Sequence, residues 1–140
     1  MTAIAVEGCT FKYTITVIPP AYTVNDPFNG QITTPPSAKC KAGGKGMYKD
    51  ESGFSATLTA PLTLISGTVS PPTASISGSF KTTAIKTKAD GTLILLKGDK
   101  TDVMTAEFTD TNSSTGITAT IMVTVIAEID DPGQNKAVAN

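Results

Sequence analysis

SAKCKAGGKGMY (residues 37–48) and AIKTKADGTLIL (residues 84–95) are two versions of one phrase. Set 47 residues apart, Lys39 meets Lys86, Lys41 meets Lys88, Ala42 meets Ala89 and Gly44 meets Gly91. Each copy carries a turn dipeptide, Gly43-Gly44 in the first and Asp90-Gly91 in the second. A type I′ hairpin turn needs positive φ at two successive residues, which Gly and Asp-Gly supply at least cost. Each phrase therefore predicts strand, tight turn, strand. Lysines two apart share one strand face, and that face is expected in solvent. Self-similarity of this kind predicts pseudo-symmetric stacking of hairpin units. The units run over about 37–50 and 84–99.

The flanking segments read as strands too. FKYTITVI (11–18) puts Phe11, Tyr13, Ile15 and Val17 on one face and Lys12, Thr14 and Thr16 on the other, the signature of a half-buried strand. Pro19-Pro20 ends it, because proline cannot donate to a ladder. Residues 19–37 predict a long loop or short strand pieces. Residues 54–65 are apolar and threonine-rich, with Pro61 marking an edge or a break, and residues 74–80 alternate Ala74, Ile76 and Phe80 with serines. TLILL (92–96), bounded by Asp90-Gly91 and Gly98-Asp99, predicts a buried strand. ITATIMVTVIAEI (117–129) keeps Ile117, Ala119, Ile121, Val123, Val125, Ala127 and Ile129 on one face, a strand that would reach about 40 Å. No segment carries a helical period. The expected fold is all-β: one compact domain over residues 1–140, built of stacked hairpins with an internal pseudo-repeat and tapering to a cone.

Composition narrows the chemistry. The chain has 140 residues, 24 of them Thr, with 12 Gly and nine Pro, which is strand-and-turn material. At this length roughly 68–70% of the unfolded surface can be buried, so neither metal nor disulfide is needed to hold a core. Eleven lysines oppose 12 carboxylates, and there is no Arg, His or Trp. Without His there is no Ser-His-Asp triad and no histidine-ligated zinc. A net charge of −1 without arginine argues against nucleic acid, where cations must replace counterions along the phosphates. The N-terminal MTAIAVEGCTFKY has no basic region and no long apolar run, so no signal peptide is expected, and no stretch predicts stable membrane insertion as a helix. Synthesis in the cytoplasm is the expectation.

The phrase KTKADGTLILLKGDKT (86–101) resembles the hairpin of PAAR and PAAR-like proteins, the tips of the spikes of contractile injection machines such as type VI secretion systems and contractile phage tails. In that family a Gly-centred turn, an apolar strand and a Gly-Asp follow one another. Here they are Asp90-Gly91, Leu93 to Leu96, and Gly98-Asp99 as a repeat-closing turn. The first copy, with Gly43-Gly44, is a degenerate version whose Asp50 lacks the preceding Gly, and VEGCTFKY resembles the family's first strand. Together these cover about a third of the chain. The resemblance implies a structural, non-enzymatic tip that caps a trimeric β-helical spike, helps it pierce an envelope, travels out with the assembled particle, and in some members brings effector cargo. Two departures matter. The name-giving Pro-Ala-Ala-Arg is absent, and the family's zinc site of three His and one Cys has no histidines here, so no cofactor is expected.

Other candidates have plainer readings. Cys9 and Cys40 are buried thiols, a disulfide or half a metal site. AGGKG (42–46) lacks phosphate-loop spacing and reads as a hairpin turn. DTNSSTG (110–116) alternates oxygens as calcium loops do, but Ile121 stands where the bidentate Glu belongs. Adjacent carboxylates at Asp50-Glu51 and Asp130-Asp131 point to opposite strand faces and form no acid/base pair alone. The turns Gly43-Gly44 and Asp90-Gly91 are candidate apex positions. A competing expectation is a β-sandwich decoration, tail or adhesion module of a phage or bacterial surface, with strands at regular intervals.

Overall fold

A computed structural model describes residues 1–18, 20, 22–61, 72–111 and 116–139. Among them there is no helix; the chain is an all-β single domain. Its strands are β1 (Thr2–Ala3), β2 (Phe11–Ile18), β3 (Phe28–Ile32), β4 (Lys41–Ala42), β5 (Lys45–Gly46), β6 (Gly53–Thr59), β7 (Thr73–Lys81), β8 (Lys88–Ala89), β9 (Thr92–Leu93), β10 (Lys100–Thr101), β11 (Met104–Thr111), β12 (Thr118–Ile129) and β13 (Val138–Ala139).

Seven strands make one antiparallel sheet curled into a half-barrel. β12 lies between β2 on one side and β11 with β10 on the other; β10 pairs β7, β7 pairs β6, and β6 pairs β3. The period-2 patterns decide which face turns inward. Ile121, Val123, Val125, Ala127 and Ile129 of β12 are buried, facing Phe54, Ala56 and Leu58 of β6 and Ile76 and Phe80 of β7. Each large side chain buried this fully contributes roughly 1.5–3 kcal/mol relative to exposure. The rings of Phe11, Phe54 and Phe80 close the lumen: Phe11 meets Phe54 edge-on at 5.0 Å, and Phe54 meets Phe80 edge-on at 5.7 Å.

The long strand starts at Thr118, one residue later than its sequence pattern, and Ile117 is exposed. β2 has the expected half-buried alternation. The apolar run after Pro61 falls on residues 62–71, outside the described residues. β11 is a strand beyond those that the sequence pattern marks; Met104, Ala106 and Phe108 alternate inward with Thr105, Glu107 and Thr109 outward.

The half-barrel has its seam between β2 and β3. The two do not pair in the sheet order; instead the Tyr13 hydroxyl lies over Gly30, where any side chain would collide with it. Asn29 holds a positive φ of 54° beside a register shift between Phe28 and Gln31, which is why no clean alternation marks β3 in the sequence.

Candidate functional site

One end of the half-barrel is closed by a plate of three crossing chain segments, centred on Ala5, Tyr48 and Leu95. Their backbones form a ring of hydrogen bonds. The Ala5 N–H donates to the Leu95 carbonyl at 3.0 Å, the Leu95 N–H to Tyr48 at 2.9 Å, and the Tyr48 N–H to Ala5 at 3.1 Å. A second ring repeats the pattern two residues out. Glu7 donates to Gly46 at 3.1 Å, Asp50 to Leu93 at 2.7 Å, and Lys97 to Ala3 at 2.8 Å. The bridges Ile4↔Leu96, Val6↔Met47 and Lys49↔Ile94 complete the set. Each bond maps onto the next when 5, 48 and 95 are exchanged in order, so the plate has pseudo-threefold symmetry.

The plate separates two cores. Ala5, Leu95 and the half-buried Tyr48 pack into the barrel lumen. Their neighbours Ile4, Val6, Met47, Ile94 and Leu96 point the other way, into a smaller cluster with Ala42, Ala84, Ala89 and Ala139. This follows from strand alternation: residues one apart serve opposite faces.

Three short hairpins stand over the second cluster. β4–β5 pairs Lys41↔Gly46 and Ala42↔Lys45; β8–β9 pairs Lys88↔Leu93 and Ala89↔Thr92. These registers match at the 47-residue offset of the two phrases. The turns are type I′ in form, with φ of 58° and 80° at Gly43 and Gly44, and 51° and 82° at Asp90 and Gly91. The third hairpin joins the two ends of the chain: β1 and β13 pair Ala3↔Val138 and Thr2↔Ala139, the same register again. The phrase therefore occurs three times, and the third copy is split between residues 137–140 and 1–9. Apolar residues 3–6, then Glu7-Gly8, match 93–96, then Lys97-Gly98; the signal was legible only by reading from the end of the chain back to its start.

The position after each plate strand is a turn at positive φ: Gly8 at 86°, Glu51 at 63° and Gly98 at 89°. The counterpart of Gly98-Asp99 is thus Glu51-Ser52, and Asp50 aligns with Lys97 instead. Asp99 is buried, and its carboxylate accepts from the Leu96 N–H at 2.7 Å, the Thr83 N–H at 3.1 Å and the Thr83 hydroxyl at 2.6 Å. At the equivalent position the Ser52 hydroxyl donates to the Lys49 carbonyl at 2.7 Å.

Each described hairpin tip rests on the next unit. The Ser37 hydroxyl donates to Asp90 at 2.7 Å, and Lys49 approaches the same oxygen at 3.4 Å. The Ser37 hydroxyl, with Lys49, holds the Asp90 carboxyl below the ordinary carboxylate range. Gly43 lies against Gln134, the residue that aligns with Ser37; a Cβ there would come within 2.8 Å of the Gln134 Cβ.

The barrel is threefold as well, though less strictly. Between units, Ile32↔Phe54, Phe80↔Thr101 and Ile129↔Phe11 are equivalent pairs. Within units, β6–β7 and β11–β12 close as hairpins while β2 and β3 stay apart, which makes the seam. In sequence, 9 residues separate β2 from β3, 13 separate β6 from β7 and 6 separate β11 from β12.

Cys9 and Cys40 are free thiols on different cores, Cys9 beside the barrel lumen and Cys40 beside the small cluster. Burial, reinforced by the Asp131 carboxylate, pushes the Cys9 thiol up to about 11. Among the described residues no group of three or more His, Cys, Asp or Glu is arranged to hold a metal ion.

Comparison of the chain with family models, with curated proteins and with solved structures returned no match.

Proposed function

We propose that this chain is the structural cap of a trimeric β-helical spike in a contractile injection particle, with the hairpin end seated on the shaft. The supporting observation is the double ring of backbone hydrogen bonds around Ala5, Tyr48 and Leu95. A single chain is asymmetric, and a shaft of three identical chains is not. A cap must present one chain to three equivalent partners, and three equal segments in one chain are the direct solution to that mismatch.

The orientation follows from where the symmetry is best kept. The hairpin end holds three pairs in one register, whereas the barrel strands of the three units are joined by sequences of unequal length and one pair, β2 and β3, stays apart. A threefold partner fits the equal end. The turns Gly43-Gly44 and Asp90-Gly91 therefore belong to the docking face in this reading, and the apex belongs to the far end of the half-barrel. The edges of short exposed hairpins carry backbone donors and acceptors that strand addition can satisfy. The sandwich alternative gains no support from the sheet order, because a sandwich needs two sheets packed face to face.

The test is a mass measurement. The purified chain is mixed with a purified trimeric β-helical spike of a contractile injection particle, and the complex is weighed by native mass spectrometry. One chain per spike trimer is expected. No complex at micromolar concentration overturns the proposal.

A further inference from the structure

The near-neutral sequence hides a segregated charge. The hairpin end comprises residues 1–4, 37–46, 84–93 and 134–139. These ranges hold Lys39, Lys41, Lys45, Lys86, Lys88 and Lys136 against one side-chain carboxylate, Asp90, and a second, Glu7, reaches in from the plate to accept from the Gly46 N–H at 3.2 Å. The remaining five lysines share the rest of the chain with eleven carboxylates. Pairing follows the same division. On the barrel side Lys12 meets Glu128 at 2.8 Å, Lys81 meets Glu51 at 2.9 Å and Lys100 meets Glu128 at 3.8 Å. Among the described residues none of the six hairpin-end lysines has a carboxylate within 4.0 Å; Asp90 is held by Ser37 and Lys49, with Lys39 near enough to act on it through its charge.

Three of the six obey the internal symmetry. Lys39, Lys86 and Lys136 each precede the residue whose carbonyl accepts the bond closing its hairpin: Cys40 from Met47, Thr87 from Ile94, and Ala137 from Ile4. All three are exposed. Solubility alone sets no requirement that cations fall at one register position in three units of otherwise different sequence. A partner with one anionic group per threefold-related subunit does.

Resting on the docking orientation proposed above, we infer that Lys39, Lys86 and Lys136 form a cationic triad that receives a ring of carboxylates, one from each subunit, on the end of the trimeric shaft. The triad sets rotational register and speeds encounter, while the backbone edges supply the contact. Lys41 and Lys88 extend the same positive field.

The probe is the same purified trimeric spike that forms the complex in the mass measurement above, with affinity and association rate measured against ionic strength. Lys39→Glu, Lys86→Glu and Lys136→Glu are each expected to weaken binding by a similar factor, about fivefold or more, and the triple variant by about a hundredfold. Raising salt from about 0.05 to about 0.5 M is expected to weaken the parent about tenfold or more and the triple variant far less. Lys12→Glu on the barrel wall is the control and binds as the parent does. Spike binding that ignores salt and all three substitutions overturns the triad while leaving the cap reading intact. Absence of any spike binding overturns both. Vesicles of phosphatidylglycerol and phosphatidylcholine in equal parts, and duplex DNA, are run alongside. Binding to either that is lost in the triple variant, with spike binding unchanged, assigns the lysines to a different anion and also overturns the inference.

Discussion

Asp99→Ala removes the acceptor for three donors in the turn that ends the third plate strand. The Leu96 N–H is buried and loses a charged acceptor at 2.7 Å, a loss of about 1.5–3 kcal/mol. The Thr83 N–H and hydroxyl are nearer solvent and can be rehydrated, so each adds only about 0.5–1 kcal/mol. The total expected destabilisation is about 2.5–5 kcal/mol. Asp99→Asn keeps the shape and one carbonyl oxygen. That oxygen can serve the Leu96 N–H while the amide donates to the Thr83 hydroxyl, which rotates to accept. Only the Thr83 N–H is then left facing a donor, at about 1–2 kcal/mol. Urea unfolding followed by far-UV circular dichroism reads both variants, since the chain has no tryptophan. The reasoning fails if Asp99→Ala lies within about 0.5 kcal/mol of the parent, or if Asn costs as much as Ala, because the ranking rests on counting unmet donors.

Further predictions concern the turns, the chain ends and the thiols. Gly98→Ala meets no atom within 4 Å, so its expected cost of about 1–2 kcal/mol is purely that of a Cβ at φ +89°; Glu51→Gly, at the equivalent position, relieves about 1 kcal/mol and loses only a surface pair with Lys81. Both are measured by the same urea titration. Joining residue 140 to residue 1 with Met1→Gly supplies an Asn-Gly turn between Ala139 and Thr2, where the other two hairpins have two turn residues. The cyclised chain is expected to gain up to about 4 kcal/mol through a smaller unfolded ensemble, read as a raised melting temperature. Cys9, with its thiol at about 11, stays protonated at neutral pH and should alkylate slowly until pH exceeds 9. Its neutral form is favoured in the folded state, so its contribution to stability is complete below the ordinary thiol range and is lost as pH rises toward 11. Mass-resolved alkylation against pH checks the rate.

Most of the architecture was legible because the chain obeys local rules. Alternation in β2, β7 and β12, and the positive-φ pairs at Gly43-Gly44 and Asp90-Gly91, follow directly from residue type. What stayed hidden depends on which distant segments meet. The third hairpin is assembled from opposite ends of the chain, so neither half carries a turn of its own. Glu51 at φ 63° stands where glycine marks the other two turns, which shifts the apparent end of the middle repeat by two residues. β3 is bent by Asn29 and has no period to read. The charge segregation was invisible to a net charge of −1, because it appears only when three separate lysine-bearing stretches come to one end.

Amide hydrogen exchange on the chain, alone and bound to the trimeric spike, tests the docking end directly. Slowed exchange is expected in residues 41–46, 88–93 and 138–139 together, with no change in 22–28 near the far end of the half-barrel. Protection at the far end with the three hairpins unaffected would contradict the assignment of the threefold face to the shaft.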